Sequence, residues 1–328
     1  MAGNFKIEFT LKQHTPLIHF QHDQAGATLR ATELKPKLDK FLKKQIPTFK
    51  GDLDYKIKIT FENKNPSTNP NRFLYFSQEH RMITFTGLKV IITSFDLEIL
   101  KKIKELFGDF LLITNFGTRS SKGYGSFSLD NQNNIDAILK KHYSNVYKLS
   151  FSVNNDNWES KIDNFHKRIK AGINFGGYQK SLLFKYMCNS KNIRWEKRKI
   201  KQQFPILAVG RSPIDCEIID ENKFRYIRAM LGLAEINEYN RGNDQVKIKH
   251  QTADKKQKIE RFQTPILYKV INQSVYLLPD DSYKTIMEKT FEFSYNGKAF
   301  DIDTPSQTEF DLIAFLNFVE TNGLIRRV

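Results

Sequence analysis

Cysteine is nearly missing from this chain: Cys188 and Cys216 are the only two in 328 residues, with no short spacing between them. That argues against a disulfide scaffold and a cysteine-based zinc site, and it fits a reducing cytoplasm. Long apolar runs are missing too. None approaches the ~18 residues of a membrane span, and the opening MAGNFKIEFTLKQ lacks the continuous apolar core of a secretory signal. No basic helix with a strong apolar face stands at either terminus, so the expectation is a cytoplasmic protein without membrane attachment. Walker phosphate loops, dinucleotide fingerprints and serine nucleophile elbows do not occur, and neither a cofactor nor a metal is expected.

Acid is in short supply. Against 36 Asp and Glu stand 52 Lys and Arg, a formal net charge of +16. Such a balance favours a polyanionic partner, nucleic acid or an anionic membrane surface, over an evenly solvated basic surface. Rings are plentiful, with 27 Phe and 13 Tyr interleaved among the cations. Phenylalanine mostly fills cores, yet interleaved rings and cations also suit the stacked bases of a single strand.

Periodicity outlines the elements. Ile7, Phe9 and Leu11 alternate with Lys6, Glu8, Thr10 and Lys12 as in a half-buried strand. Leu34, Leu38, Phe41 and Leu42 recur at helical spacing behind Thr32-Glu33, with lysines on the other faces. Strands are expected at 55–61, 73–76 and 84–93, a helix at 95–107 with Asp96 near its start, and a further strand through Phe127 and Leu129. The order β, α, β, β, α, β is that of a ferredoxin-like unit.

The Asn- and Gln-rich stretch after Asn131 divides a first domain, 1–132, from a second, 133–328. There, strands are expected at 147–153, 205–209, 264–271 and 275–278, and helices at 158–170, 181–187, 224–233 and 309–321. Residues 240–261 are polar and lysine-rich and read as a basic insertion. The fold class expected is α+β, with two ferredoxin-like, RNA-recognition-motif-like units, the second decorated.

One stretch concentrates chemistry. From Gly117 to Gly125 lie three glycines (Gly117, Gly123, Gly125), Arg119, Lys122 and the hydroxyls of Ser120 and Ser121, beside Tyr124. Glycine permits backbone angles at which successive N–H groups converge on an anion, and the cations and hydroxyls add donors for a phosphodiester. A flexible basic hairpin loop is the plain alternative. A second cluster, His14, His19 and His22 with Asp23, could supply a general acid and base for RNA cleavage by a 2′-hydroxyl, or simply pack or bind RNA. Asp52 and Asp54 form a DxD-like pair that reads as a turn former.

Thr15-Pro16-Leu17 after the first strand, Leu29-Arg30-Ala31-Thr32-Glu33-Leu34-Lys35 at the first helix, and the Gly117–Gly125 loop together resemble the RAMP superfamily of CRISPR-associated proteins. Within it, the loop looks most like that of the large subunit near the guide 3′ end of type III-B (Cmr) effector complexes. The resemblance implies ferredoxin-like domains that bind guide RNA and its duplex with target RNA as a non-catalytic subunit, alongside other CRISPR effector subunits. It also implies phosphate contacts from the loop and from Arg30, Thr32, Lys35 and Lys37 at the first helix. A repeat-processing endoribonuclease using His14, His19 or His22 is the alternative, although in that RAMP branch the glycine loop usually lies near the C-terminus.

Overall fold

The structure is a computed structural model that describes residues 5–18, 29–67, 82–154, 157–174, 176–208, 223–233, 236–239, 244–254 and 257–328. The strand expected at 73–76 lies outside the described residues. The chain forms two compact units, of which the first comprises Met1–Glu159, Leu267–Leu278 and Arg327–Val328, and the second Ser160–Ile266 and Pro279–Arg326.

In the first unit the elements are β1 Lys6–Gln13, β2 Leu17–Ile18, α1 Ala31–Gln45, β3 Lys56–Thr60, β4 Asn63–Ser67, β5 Met82–Thr86, β6 Lys89–Thr93, α2 Leu97–Leu112, β7 Phe127–Leu129, α3 Ile135–His142 and β8 Tyr147–Leu149. The principal sheet is antiparallel in the order β3, β6, β1, β7. Its register sets Phe9 opposite Val90 and Lys12 opposite Ser128. Helix α1 buries Leu34, Leu38, Phe41 and Leu42, and α2 buries Ile99, Leu100, Ile103 and Phe107. Together with Val90 and Ile92 of β6 they form one core, in which each fully buried aliphatic side chain contributes about 1.5–3 kcal/mol. Asp96 caps α2 by accepting the Glu98 and Ile99 N–H groups at 2.9 and 3.1 Å.

The stretch 84–93 is two strands rather than one. Gly87, at φ +59°, turns the chain, and β5 leaves for a smaller sheet ordered β2, β5, β4 while β6 enters the principal one. That smaller sheet matters because β2 runs on from Thr15-Pro16. A further cluster of Leu112, Leu139, Val146, Ile271, Tyr276 and Leu278 packs α3 and β8 against the segment from Leu267 to Leu278.

The second unit holds a four-stranded antiparallel sheet in the order Ile236–Tyr239, Asp244–His250, Thr290–Tyr295, Lys298–Asp303. Its helices include Leu182–Lys191, capped by the Ser181 hydroxyl, and Leu312–Thr321, capped by Asp311. Within the stretch 240–261, expected as a basic insertion, Asp244–His250 is a strand of this sheet. Val246, Ile248 and His250 are buried and Lys247 and Lys249 exposed, so the lysines are the outward half of a two-residue period. The helix expected at 224–233 is a short strand, Phe224–Arg225, followed by a 3-10 turn, Ile227–Leu231. Non-helical partners take its N–H groups: Tyr226 donates to Asp303 O, and Ile227 to the buried Glu196 carboxylate, which also pairs with Arg228. Residues 205–208 are likewise a 3-10 turn and not a strand. Cys188 is buried. Among the described residues no helix is long and apolar enough to cross a membrane.

Candidate nucleic-acid interface

The three stretches singled out in the sequence meet in the first unit. The Thr15 hydroxyl donates to Gly123 O at 2.6 Å and accepts the Ser126 N–H at 3.0 Å. Pro16 O accepts the Gly125 N–H at 2.9 Å, and Ile18 O accepts that of Thr118 at 3.2 Å. The 15–18 segment is therefore the floor on which the glycine loop is laid. From the other side Glu33 Oε1 accepts the Gly117 N–H at 2.8 Å, and Lys37 Nζ joins that oxygen at 2.7 Å to Asn115 O at 2.9 Å. Helix start and loop thus form one surface.

Two of the glycines are required by space as well as by angle. A Cβ on Gly117, at φ +75°, would stand 2.7 Å from Ile18 O, and one on Gly125, at φ +63°, 1.9 Å from Phe116 O. Five of the loop's N–H groups, which the sequence led us to expect to converge on an anion, are engaged within the protein. Those of Gly117, Thr118, Lys122, Gly123 and Gly125 go to Glu33, Ile18, Arg119, Ser120 and Pro16 respectively. Arg119, itself left-handed at φ +58°, leads into the 3-10 turn Ser120–Lys122, and these four residues are half-buried.

The remaining expected contacts divide by exposure. Arg30 and Thr32 are exposed at the start of α1, where Arg30 is the N-cap without a side-chain hydrogen bond. Lys35 is half-buried, donating to Asp39 at 3.0 Å and Leu53 O at 2.9 Å over the Tyr55 ring; Lys37 is held as described, 5.0 Å over the Phe116 ring. Gly123, Tyr124 and Gly125 are buried. Tyr124, 1% exposed, sets its ring edge-on to Trp158 at 4.9 Å and donates its hydroxyl to Glu159, so it cannot stack on a base in this conformation. Burial, with that carboxylate, holds its phenol above the ordinary range.

Sequence reasoning missed the deepest part of the arrangement. Lys269 is fully buried and donates to Thr114 O at 2.8 Å, Asn115 Oδ1 at 3.1 Å and Phe127 O at 3.1 Å. Burial pushes its ammonium well below the usual lysine range. Asn115 in turn donates to Ser120 O and Tyr268 O at 2.7 and 2.9 Å, and the Ser126 hydroxyl to Val270 O at 2.6 Å. The available signal was a lysine inside the apolar run ILYKVI, a place where lysine is seldom found without partners.

The histidine cluster is represented by His14 alone, since His19 and His22 lie outside the described residues. Its Nδ1 accepts the Asn272 N–H at 3.1 Å, which leaves Nε2 to donate to Ser128 Oγ at 2.9 Å. Burial, then Lys269 and Lys12, lowers its pKa to about 3. A neutral ring with both nitrogens engaged is poorly suited to general acid catalysis near neutral pH. Asp52 and Asp54 are exposed on either side of buried Leu53. Among the described residues no three His, Cys, Asp or Glu side chains cluster as metal ligands would.

Family models of the Cmr1 N-terminal domain match residues 4–51 and 49–173, and one of the Cmr1 C-terminal domain matches 178–326. The chain belongs to the Cmr1 family. That makes it a RAMP-type subunit of the type III-B CRISPR effector, as the loop and helix-start motifs implied. The crystal structure of Cmr1 from Pyrococcus furiosus, apo form, is similar over 98% of this chain and 98% of that one, with a TM-score of 0.43 and 10% sequence identity. No curated protein matches.

Proposed function

We propose that this Cmr1-family chain is a cytoplasmic, non-catalytic RNA-binding subunit that holds guide RNA and its target duplex by the backbone, among the other subunits of the effector. The first unit is read as ferredoxin-like. The observation that carries the proposal is the Glu33 carboxylate, which ties the Gly117 N–H and Lys37 into one structure and so sets the α1 start beside the glycine loop. Arg30 and Thr32 on one side and Arg119, Ser120, Ser121 and Lys122 on the other then present cations and hydroxyls to successive phosphates. Such contacts read position and shape rather than base identity. The buried Gly123, Tyr124 and Gly125 shape the loop, and Lys35 and Lys37 serve as much to anchor it as to attract RNA.

The test is binding of single-stranded RNA by the full chain and by an Arg119→Ala/Lys122→Ala variant across salt concentrations. With about five phosphates neutralised, affinity falls roughly a hundredfold between 50 and 200 mM salt, and the variant shows a shallower slope by about two contacts. A variant of unchanged affinity and slope would sink the proposal. Incubation with repeat RNA in EDTA, read on denaturing gels, tests the non-catalytic part: a single metal-independent cut overturns it.

A further inference from the structure

A cleft of about 420 Å³ lies within the second unit, and none of its lining residues belongs to the interface described above. One wall is the segment from Gln257 to Phe262, which follows the strand Asp244–His250; the other is formed by Thr285, Ile286 and Lys289. Three cations, Lys258, Arg261 and Lys289, line it against one carboxylate, Glu260, which pairs with Lys258 at 2.6 Å. The remaining lining is of a different kind, with Ile259 and Phe262 supplying apolar surface and a ring, and Thr285 a hydroxyl.

The cleft is braced by its own backbone. His250, nearly buried at 9% exposure, packs its ring 5.2 Å from that of Phe291 and accepts the Ile259 N–H on Nδ1 at 3.3 Å. This hydrogen bond fastens the Lys258–Arg261 wall to the sheet. On the opposite wall Lys289 is fixed by donating its N–H to Thr304 Oγ1 at 2.9 Å.

We infer that this cleft is a second anion site, one that binds a nucleoside monophosphate group with its phosphate between Arg261 and Lys289 and its base over Ile259 and Phe262. Charge calls for an anion, while size and apolar lining exceed what a bare phosphate uses; pockets of ~300–1,000 Å³ take whole small ligands. The group can come from a free nucleotide or from one residue of an RNA strand. The inference does not rest on the RNA surface of the first unit, and the two fail separately.

The experiment is calorimetric titration of the full chain at 50 mM salt with AMP, adenosine and inorganic phosphate. The expected result is one saturable AMP site, with adenosine and phosphate each at least about tenfold weaker. Arg261→Ala/Lys289→Ala weakens AMP at least about tenfold, whereas Arg119→Ala/Lys122→Ala leaves it unchanged. The single reversal Arg261→Glu, at an exposed position, provides a second variant. Absence of a saturable AMP site, or equal AMP binding by the wild type and both cleft variants, overturns the inference. Phosphate as tight as AMP overturns its nucleoside half. Competition of AMP by a short RNA supports a strand as the source, and lack of competition supports a free nucleotide.

Discussion

Glu33 Oε1 accepts the backbone N–H of Gly117 at 2.8 Å, so an acidic side chain occupies the donor that an anion-binding loop would otherwise turn toward phosphate. The same oxygen receives Lys37 at 2.7 Å, and Lys37 reaches on to Asn115 O. One carboxylate thereby fixes the position of the loop relative to α1. The glycines serve conformation and clearance.

Glu33→Ala removes an acceptor from both donors. The expected cost is about 1–3 kcal/mol in urea unfolding, together with weaker RNA binding although no RNA-facing cation has been removed. Glu33→Gln keeps an acceptor oxygen and loses less of both. If Glu33→Ala binds RNA as the wild type does, the tie does not position the loop.

Gly125→Ala and Gly176→Ala separate clearance from backbone angle. Both positions are left-handed, at φ +63° and +60°, but the added Cβ meets Phe116 O at 1.9 Å in the first and nothing within 4 Å in the second. Gly176→Ala is expected to cost about 1 kcal/mol and Gly125→Ala at least about 3 kcal/mol, read as the shift in urea midpoint. Equal costs would mean that the loop relaxes around the new methyl group.

Lys269→Met removes the donor shared by Thr114 O, Asn115 Oδ1 and Phe127 O. Relief of the buried charge offsets part of the loss, and the net expectation is destabilisation by about 3 kcal/mol. Limited proteolysis should show earlier cleavage at the 117–125 loop than elsewhere in the variant. A variant as stable and as protected as the wild type would show that the ammonium is not what anchors the loop.

His14 gives stability a pH dependence of defined sign. Its folded pKa, about 3, lies below the ordinary histidine value near 6.5, so between these limits the unfolded chain binds the proton that the folded chain refuses. This contribution is complete above pH ~6.5 and is lost as pH falls toward 3. Melting temperature should therefore rise from pH 4 to 6.5, and His14→Gln, which retains a donor and an acceptor without titrating, should flatten that rise. An identical profile for the variant would assign the dependence to other groups.

Much of the first unit was legible because local pattern and tertiary role agreed. The alternation of Ile7, Phe9 and Leu11 and the helical spacing of Leu34, Leu38, Phe41 and Leu42 each follow from a single partly buried face, and Asp96 marks its helix start by local hydrogen bonding. In the second unit, the same period-two pattern in Asp244–His250 was masked by its lysines, while segment 224–233 departed from its helical spacing because distant partners, Asp303 and Glu196, claim its N–H groups.

Residue types and their order in the chain determined the basic character, the glycine loop, the helix-start motif and the family, since charge, backbone permissiveness and motif spacing are properties of short stretches. Only the tertiary structure decided which members of those motifs face outward. Tyr124 is turned against Trp158 and Glu159, Lys35 and Lys37 are engaged with acceptors of their own unit, and Lys269 comes from 144 residues beyond Gly125 to hold the loop's base through Asn115. The physical reason is that buried polar groups must find partners wherever packing places them, and that pairing is set by three-dimensional proximity rather than by any local pattern.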